Sequence, residues 1–244
     1  MIDINESRVF DITKEYTNMY RVTSYKYGFD PNKTKNKSKS LKLKSEADKE
    51  DSLQVSVRRT RRTISDYVRC NTFDLFVTFT FDPKKVDRYD LLGTYLKMQG
   101  WLHRQQRKYD NFKYIIVPER HKDGAIHFHA LFGGYEGILK KTRVIQNNRR
   151  VYNINAFKFG FTNAQYLDED IDKTTAYVCK YITKDMELIS NCRRYWSSKN
   201  LVKPVKSYNF IFRNPDFDKY LSPEHLVVDS EYNQIYEFPK PTFD

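Results

Sequence analysis

Cysteine is scarce: Cys70, Cys179 and Cys192 are the only three in 244 residues. They are scattered and form no CxxC pair, which speaks against a disulfide framework and a thiolate zinc cage. No apolar run approaches the ~20 residues that span a bilayer. The opening MIDINESRVF lacks the basic and apolar regions of a signal peptide, so a protein that stays in the cytoplasm, off the membrane, is expected. There is no GxxxxGK[ST] run, hence no built-in phosphate-loop helicase, and no internal period, hence no solenoid. Acid is in short supply as well. Against 43 Lys and Arg stand 31 Asp and Glu, a net charge of +12, so the expected partner is a polyanion, nucleic acid before an acidic membrane surface. The 19 Tyr and 17 Phe suit base stacking as well as cores.

The length fits one substantial core with additions. An N-terminal extension over 1–46, a catalytic-sized domain over 47–190 and a C-terminal extension over 191–244 are expected. Within the first, NKTKNKSKSLKLK (32–44) alternates lysine with small polar residues and reads as a solvated linker or a DNA-contacting arm. Asp48 to Asn71 reads as a helix, with Val55, Ile64, Tyr67 and Val68 among Arg58, Arg59, Arg61 and Arg62. Those arginines are candidate phosphate contacts, or simply a solvated face. DLFVTFTFDP (74–83) is a strand with Val77, Phe79 and Phe81 on one side and Thr78 and Thr80 on the other. A helix from Asp87 to Tyr109 carries Leu91, Leu92, Tyr95, Met98 and Leu102 at three-and-four spacing. KYIIVPE and IHFHALFGG are the next strands. KKTRVIQNNRR reads as a basic loop in which Arg149 and Arg150 can meet DNA, INAFKFGFT as a strand, and Lys173 to Ile189 as a helix. After Asn191 strand signals are weak.

In IHFHALFGG the alternation of a strand sends His127 and His129 to one side. If Lys122-Asp123-Gly124 form a three-residue hairpin loop with Gly124 left-handed, Glu119 faces His127 across the ladder. Two imidazoles and a carboxylate leave open positions on a divalent ion, as catalysis needs. The ligand types favour Mg²⁺ or Mn²⁺ over zinc. His121 shares the face as a reserve ligand. The alternative is a pair of ordinary half-buried histidines.

On the expected helix, Lys173, Tyr177, Lys180, Tyr181 and Lys184 share one sector, with Val178, Cys179, Ile182, Met186 and Ile189 opposite. The apolar stripe suits a core, leaving tyrosines and lysines as a separate surface, on which Lys184 is a further candidate DNA contact. A phenol, with its pKa near 10, is a poor nucleophile at neutral pH, yet lysine ammoniums and a metal-polarised phosphate favour its attack. The alternative is a solvated face whose tyrosines lie over a neighbour.

Taken in order, FVTFTFD (76–82), HFH (127–129) and YVCKY (177–181) resemble the three motifs of HUH endonucleases, the rolling-circle replication initiators of plasmids and small phages. Two tyrosines separated by three residues are similar to the two-tyrosine initiators of the microvirus A-protein type. The resemblance implies an α+β fold with a central antiparallel sheet of about five strands and packed helices. It implies that His127, His129 and Glu119 hold the metal, that Tyr177 attacks the scissile phosphate, that Lys180 assists, and that Tyr181 is the second nucleophile. Single-stranded DNA at a replication origin would be the substrate, with a host helicase and DNA polymerase as partners. Other classes compatible with the sequence are a single-strand transposase of the same chemistry, a hydrolytic metal-dependent nuclease, and a non-enzymatic single-strand binding protein.

Overall fold

The computed structural model describes residues 9–29, 46–168, 170–181, 194–209 and 215–240. The lysine-rich stretch 32–44, Lys184 and the expected helix beyond Tyr181 lie outside the described residues. In chain order the elements are β1 (Val9–Glu15), β2 (Met19–Phe29), α1 (Glu46–Cys70), β3 (Leu75–Phe81), α2 (Leu91–Lys108), β4 (Lys113–Arg120), β5 (Ile126–Gly133), β6 (Leu139–Gln146), β7 (Arg149–Ile154), β8 (Gly160–Tyr166), α3 (Ile171–Cys179), β9 (Trp196–Ser197), β10 (Val205–Asn209), β11 (Leu226–Asp229) and β12 (Asn233–Pro239), with short 3₁₀ turns at Pro215–Tyr220 and Pro223–His225. The class is α+β, with two antiparallel sheets.

Two compact units divide the chain: Met1–Lys44 with Lys203–Asp244, and Ser45–Val202. In the first, the two chain ends pair in a five-stranded sheet ordered β10-β1-β2-β12-β11. Its core gathers Val22, Tyr236 and Phe238.

The second unit is a seven-stranded sheet ordered β6-β7-β8-β3-β5-β4-β9. Its middle strands are buried on both faces, which is why they read as near-continuous apolar runs. One face packs Val77, Phe79, Phe128, Ala130 and Phe132 against Met98, Trp101 and Leu102 of α2. The other packs Phe76, Ile115, Val117 and Leu131 against Ile64, Tyr67 and Val68 of α1 and Val178 of α3. Helix α3 starts where the Asp170 carboxylate accepts from the Lys173 backbone N–H at 2.9 Å, a side-chain cap that satisfies an otherwise orphaned donor.

Three details depart from the sequence reading. The sheet has seven strands where about five were expected, partly because the expected basic loop KKTRVIQNNRR is the hairpin β6-β7. Its two-residue turn, Asn147-Asn148, holds both residues at positive φ (52° and 60°), the geometry a type I′ turn demands and asparagine tolerates. Most of β6 is exposed, so no burial pattern announces the strand. Second, INAFKFGFT is not one strand: β7 ends at Ile154, Phe157 turns into the core, and β8 starts at Gly160, where a Cβ would sit 2.1 Å from the Thr80 carbonyl oxygen of β3. Third, the inward stripe of α2 is Thr94, Met98, Trp101, Leu102 and Gln105, leaving Leu92 exposed; Val55 of α1 is exposed too.

Candidate active site

The hairpin β4-β5 sets the centre of the site. Its loop is Lys122-Asp123-Gly124: the His121 N–H donates to the Ala125 carbonyl at 2.8 Å, the Gly124 N–H donates to the His121 carbonyl at 2.8 Å, and Gly124 has φ +86°. A non-glycine residue would be strained there. This loop fixes the register, so Glu119 stands opposite His127, and strand alternation sends Glu119, His127 and His129 to the face that carries α1 and α3.

The side chains use the diagonal rather than the direct pair. Glu119 Oε2 lies 2.6 Å from His129 Nε2. His127 instead stacks on His121, ring centroids 5.0 Å apart and 11° from parallel. His129 is only 5% exposed, and its second nitrogen, Nδ1, meets Thr78 Oγ1 of β3 at 3.2 Å. A buried imidazole with both nitrogens engaged is a fixed one. The hydroxyl of Thr78 can donate or accept, so it suits the ring whether Nε2 carries a proton toward Glu119 or offers its lone pair to a cation.

The electrostatics follow from these contacts. The hydrogen bond with His129 holds the Glu119 carboxyl below its usual range, against the opposing pull of burial and with help from the positive charge of the neighbouring histidines. Burial, then the charges of His121 and His129, lowers His127, so it stays neutral more readily than a solvated imidazole.

Both tyrosines come to the same place. Tyr181, just past the end of α3, lies flat on His129 with ring centroids 3.6 Å apart and 8° from parallel. Burial pushes its phenol up to about 12, with further contributions from Tyr177 and Glu119. Tyr177 is 40% exposed, stands edge-on to Phe76 at 4.5 Å and edge-on to Tyr181 at 6.3 Å. The Lys180 ammonium lies 5.8 Å from the centre of the Tyr181 ring. Of the expected displayed surface, Lys173, Tyr177 and Lys180 are exposed, while Tyr181 is half-buried against the sheet. Helix α3 is tied to α1 by the Arg69–Asp172 ion pair at 2.7 Å and by the Cys179 thiol against the Arg61 carbonyl at 3.8 Å.

The candidate DNA contacts separate into groups. Arg149 lines a groove of about 490 Å³ with Lys173, Tyr177 and Lys180, and is ion-paired to Asp168. Arg150 turns away, donating to the Thr142 carbonyl at 3.2 Å. Arg58, Arg59, Arg61 and Arg62 are exposed along α1 and do not line that groove. Sequence reasoning missed two supporting residues, Thr78 and Phe76. The alternation of β3 places Thr78 on the histidine side only once β3 is known to neighbour β5, and that pairing spans 51 residues of sequence.

A divalent ion suits these donors in kind: two imidazoles and a carboxylate on one face, one imidazole already braced from behind. Two of the three, Glu119 and His129, already meet. Among the described residues no group of three His, Cys, Asp or Glu side chains stands close enough to hold a metal, because His127 is stacked on His121; a three-ligand site requires His127 to leave that stack.

Residues 74–186 match a family model that describes replication-associated proteins of the ORF2 type. The matched span opens just before β3 and takes in Thr78, Glu119, His127, His129, Tyr177 and Tyr181. It supports a role in initiating replication, with DNA as partner. Comparison with curated proteins and with solved structures returns no match. No helix among the described residues is long and apolar enough to cross a membrane.

Proposed function

We propose that this protein initiates rolling-circle replication by nicking and rejoining single-stranded DNA at an origin through a phosphotyrosine link, as an HUH endonuclease of the two-tyrosine type. The observation that carries the reading is the stack of Tyr181 on His129, which joins the tyrosine helix to the Glu119–His129 pair on one sheet face. Glu119, His127 and His129 would hold a divalent cation, Mg²⁺ or Mn²⁺, which when bound polarises the scissile phosphate and stabilises charge on its oxygens.

The chain's own groups do the rest. The exposed Tyr177 phenol attacks phosphorus in line, forming the tyrosyl O–P bond as the P–O3′ bond breaks. The phenolic proton is lost and the departing O3′ gains one, leaving a 5′-phosphotyrosine and a 3′-hydroxyl that a polymerase can extend. Lys173 and Lys180 offset the phosphate charge, and Arg149 can exchange Asp168 for a phosphate oxygen. Tyr181 keeps its proton at neutral pH and serves as second nucleophile for a later strand. The covalent link stores the bond energy, so a strand can be rejoined without ATP. Strand separation falls to a separate helicase or to supercoiling.

Replacing His127 and His129 together with Ala should remove Mn²⁺-dependent cleavage of origin single strands while salt-sensitive binding persists. Undiminished cleavage by that double variant would end the metal assignment.

A further inference from the structure

On the sheet face opposite the histidines and tyrosines, a second groove of about 650 Å³ runs between α2 and the edge strand β9. Tyr114, which lines it, belongs to the core beneath α2, and Trp196 packs against that same core, so the groove is separated from the candidate active site by the sheet itself. Its aromatic wall is the pair Tyr95 and Trp196, ring centroids 4.4 Å apart and 38° from parallel, with both rings partly exposed. Its rim carries His103, Arg107 and Lys199, all exposed. No lining residue is Asp or Glu. Helix α2 contains no carboxylate along its whole length, Leu91–Lys108. Among the described residues His103, Arg107 and Lys199 have no ion-pair partner, in contrast to Arg149 beside the tyrosines.

An aromatic wall beside unneutralised cations is the chemistry that takes a base on one side and its phosphates on the other. We infer that this groove binds a nucleotide unit of a second stretch of single-stranded DNA, its base against Trp196 and Tyr95 and its phosphates on Arg107 and Lys199. The inference rests on DNA being the partner, not on the nicking chemistry. Because β9 is a two-residue edge strand, a strand leaving the histidine face has only a short edge to cross before reaching the groove. The protein would then grip flanking DNA on one face while cutting on the other.

The full chain has two tryptophans, and Trp101 is 2% exposed, so a change in emission on binding reports Trp196. Titration with a short oligothymidylate in metal-free buffer, followed by tryptophan emission and by anisotropy of a labelled copy, should show quenching that disappears in Trp196→Phe. In the double variant Arg107→Gln/Lys199→Gln the affinity read from quenching should fall about tenfold, and the log–log salt slope should become shallower by roughly 1.4, about 0.7 for each lost phosphate contact. Binding by anisotropy with unchanged Trp196 emission would overturn the inference. So would unchanged affinity and slope in the double variant, or thymidine monophosphate binding as tightly as the oligonucleotide, which would assign the groove to a free nucleotide. Covalent linkage with Mn²⁺, measured in parallel, separates the two readings: quenching without any adduct fails the nicking proposal and leaves the groove standing, and an adduct without quenching does the reverse.

Discussion

The two faces of the seven-stranded sheet share their strands and differ in what those strands turn outward. Toward α2, β3 and β5 present Val77, Phe79, Phe81, Phe128, Ala130 and Phe132, an apolar surface closed by Trp101 and Phe157. Toward α1 and α3 the same strands present Thr78, Thr80, His127 and His129, alternating with nothing larger than Phe76 and Leu131 to bury. One face holds the sheet together by packing; the other keeps polar groups that packing alone would not choose, and holds them in place by contact with each other. Rigidity for the candidate site is thus supplied from behind, through the backbone of shared strands.

Breaking the packed face should cost most. Phe79 is fully buried beneath Trp101 and Phe157, so Phe79→Ala should destabilise folding by about 3–5 kcal/mol, seen as a lower urea midpoint, with loss of both binding and cleavage. The polar face should respond differently. Thr78→Val keeps the shape of the side chain and removes the hydroxyl behind His129; it should leave the fold near its original stability yet weaken Mn²⁺ affinity roughly 10- to 100-fold, measured calorimetrically. Equal losses of stability and metal affinity would erase the distinction between the faces.

Acid separates them more gently. His127 has a folded value below its ordinary 6.5, so as pH falls through 6.5 the unfolded chain takes up a proton before the folded one does, and stability declines toward the folded value. Glu119, lowered from 4.5, contributes stability above that value and loses it as pH falls through its own folded value. Both limbs belong to the histidine face. His127→Gln should flatten the melting temperature against pH in the window just below 6.5, leaving the lower limb intact.

What could be read from the sequence follows the range of the interactions. The Glu119–His127 register was legible because a three-residue turn fixes it locally, and the displayed side of α3 followed from helical spacing over Lys173, Tyr177 and Lys180. The bonding of Glu119 to His129 was not legible, since a diagonal contact depends on where His121 draws His127. Thr78 was hidden because its role depends on β3 lying beside β5, a pairing set by the whole core. The β6-β7 hairpin escaped because its strands are mostly exposed and its only local signal is Asn147-Asn148. The two chain ends, weak in strand signals, form a sheet only by pairing with one another across most of the sequence.

The most direct test of the proposed chemistry is peptide mapping of the adduct formed when the full chain meets labelled origin-derived single-stranded DNA with Mn²⁺. A DNA-linked peptide carrying Tyr177, shifting to Tyr181 in Tyr177→Phe and vanishing when both are Phe, is the expected result. Cleavage that leaves no protein attached to DNA, or an adduct that survives replacement of both tyrosines, would contradict it.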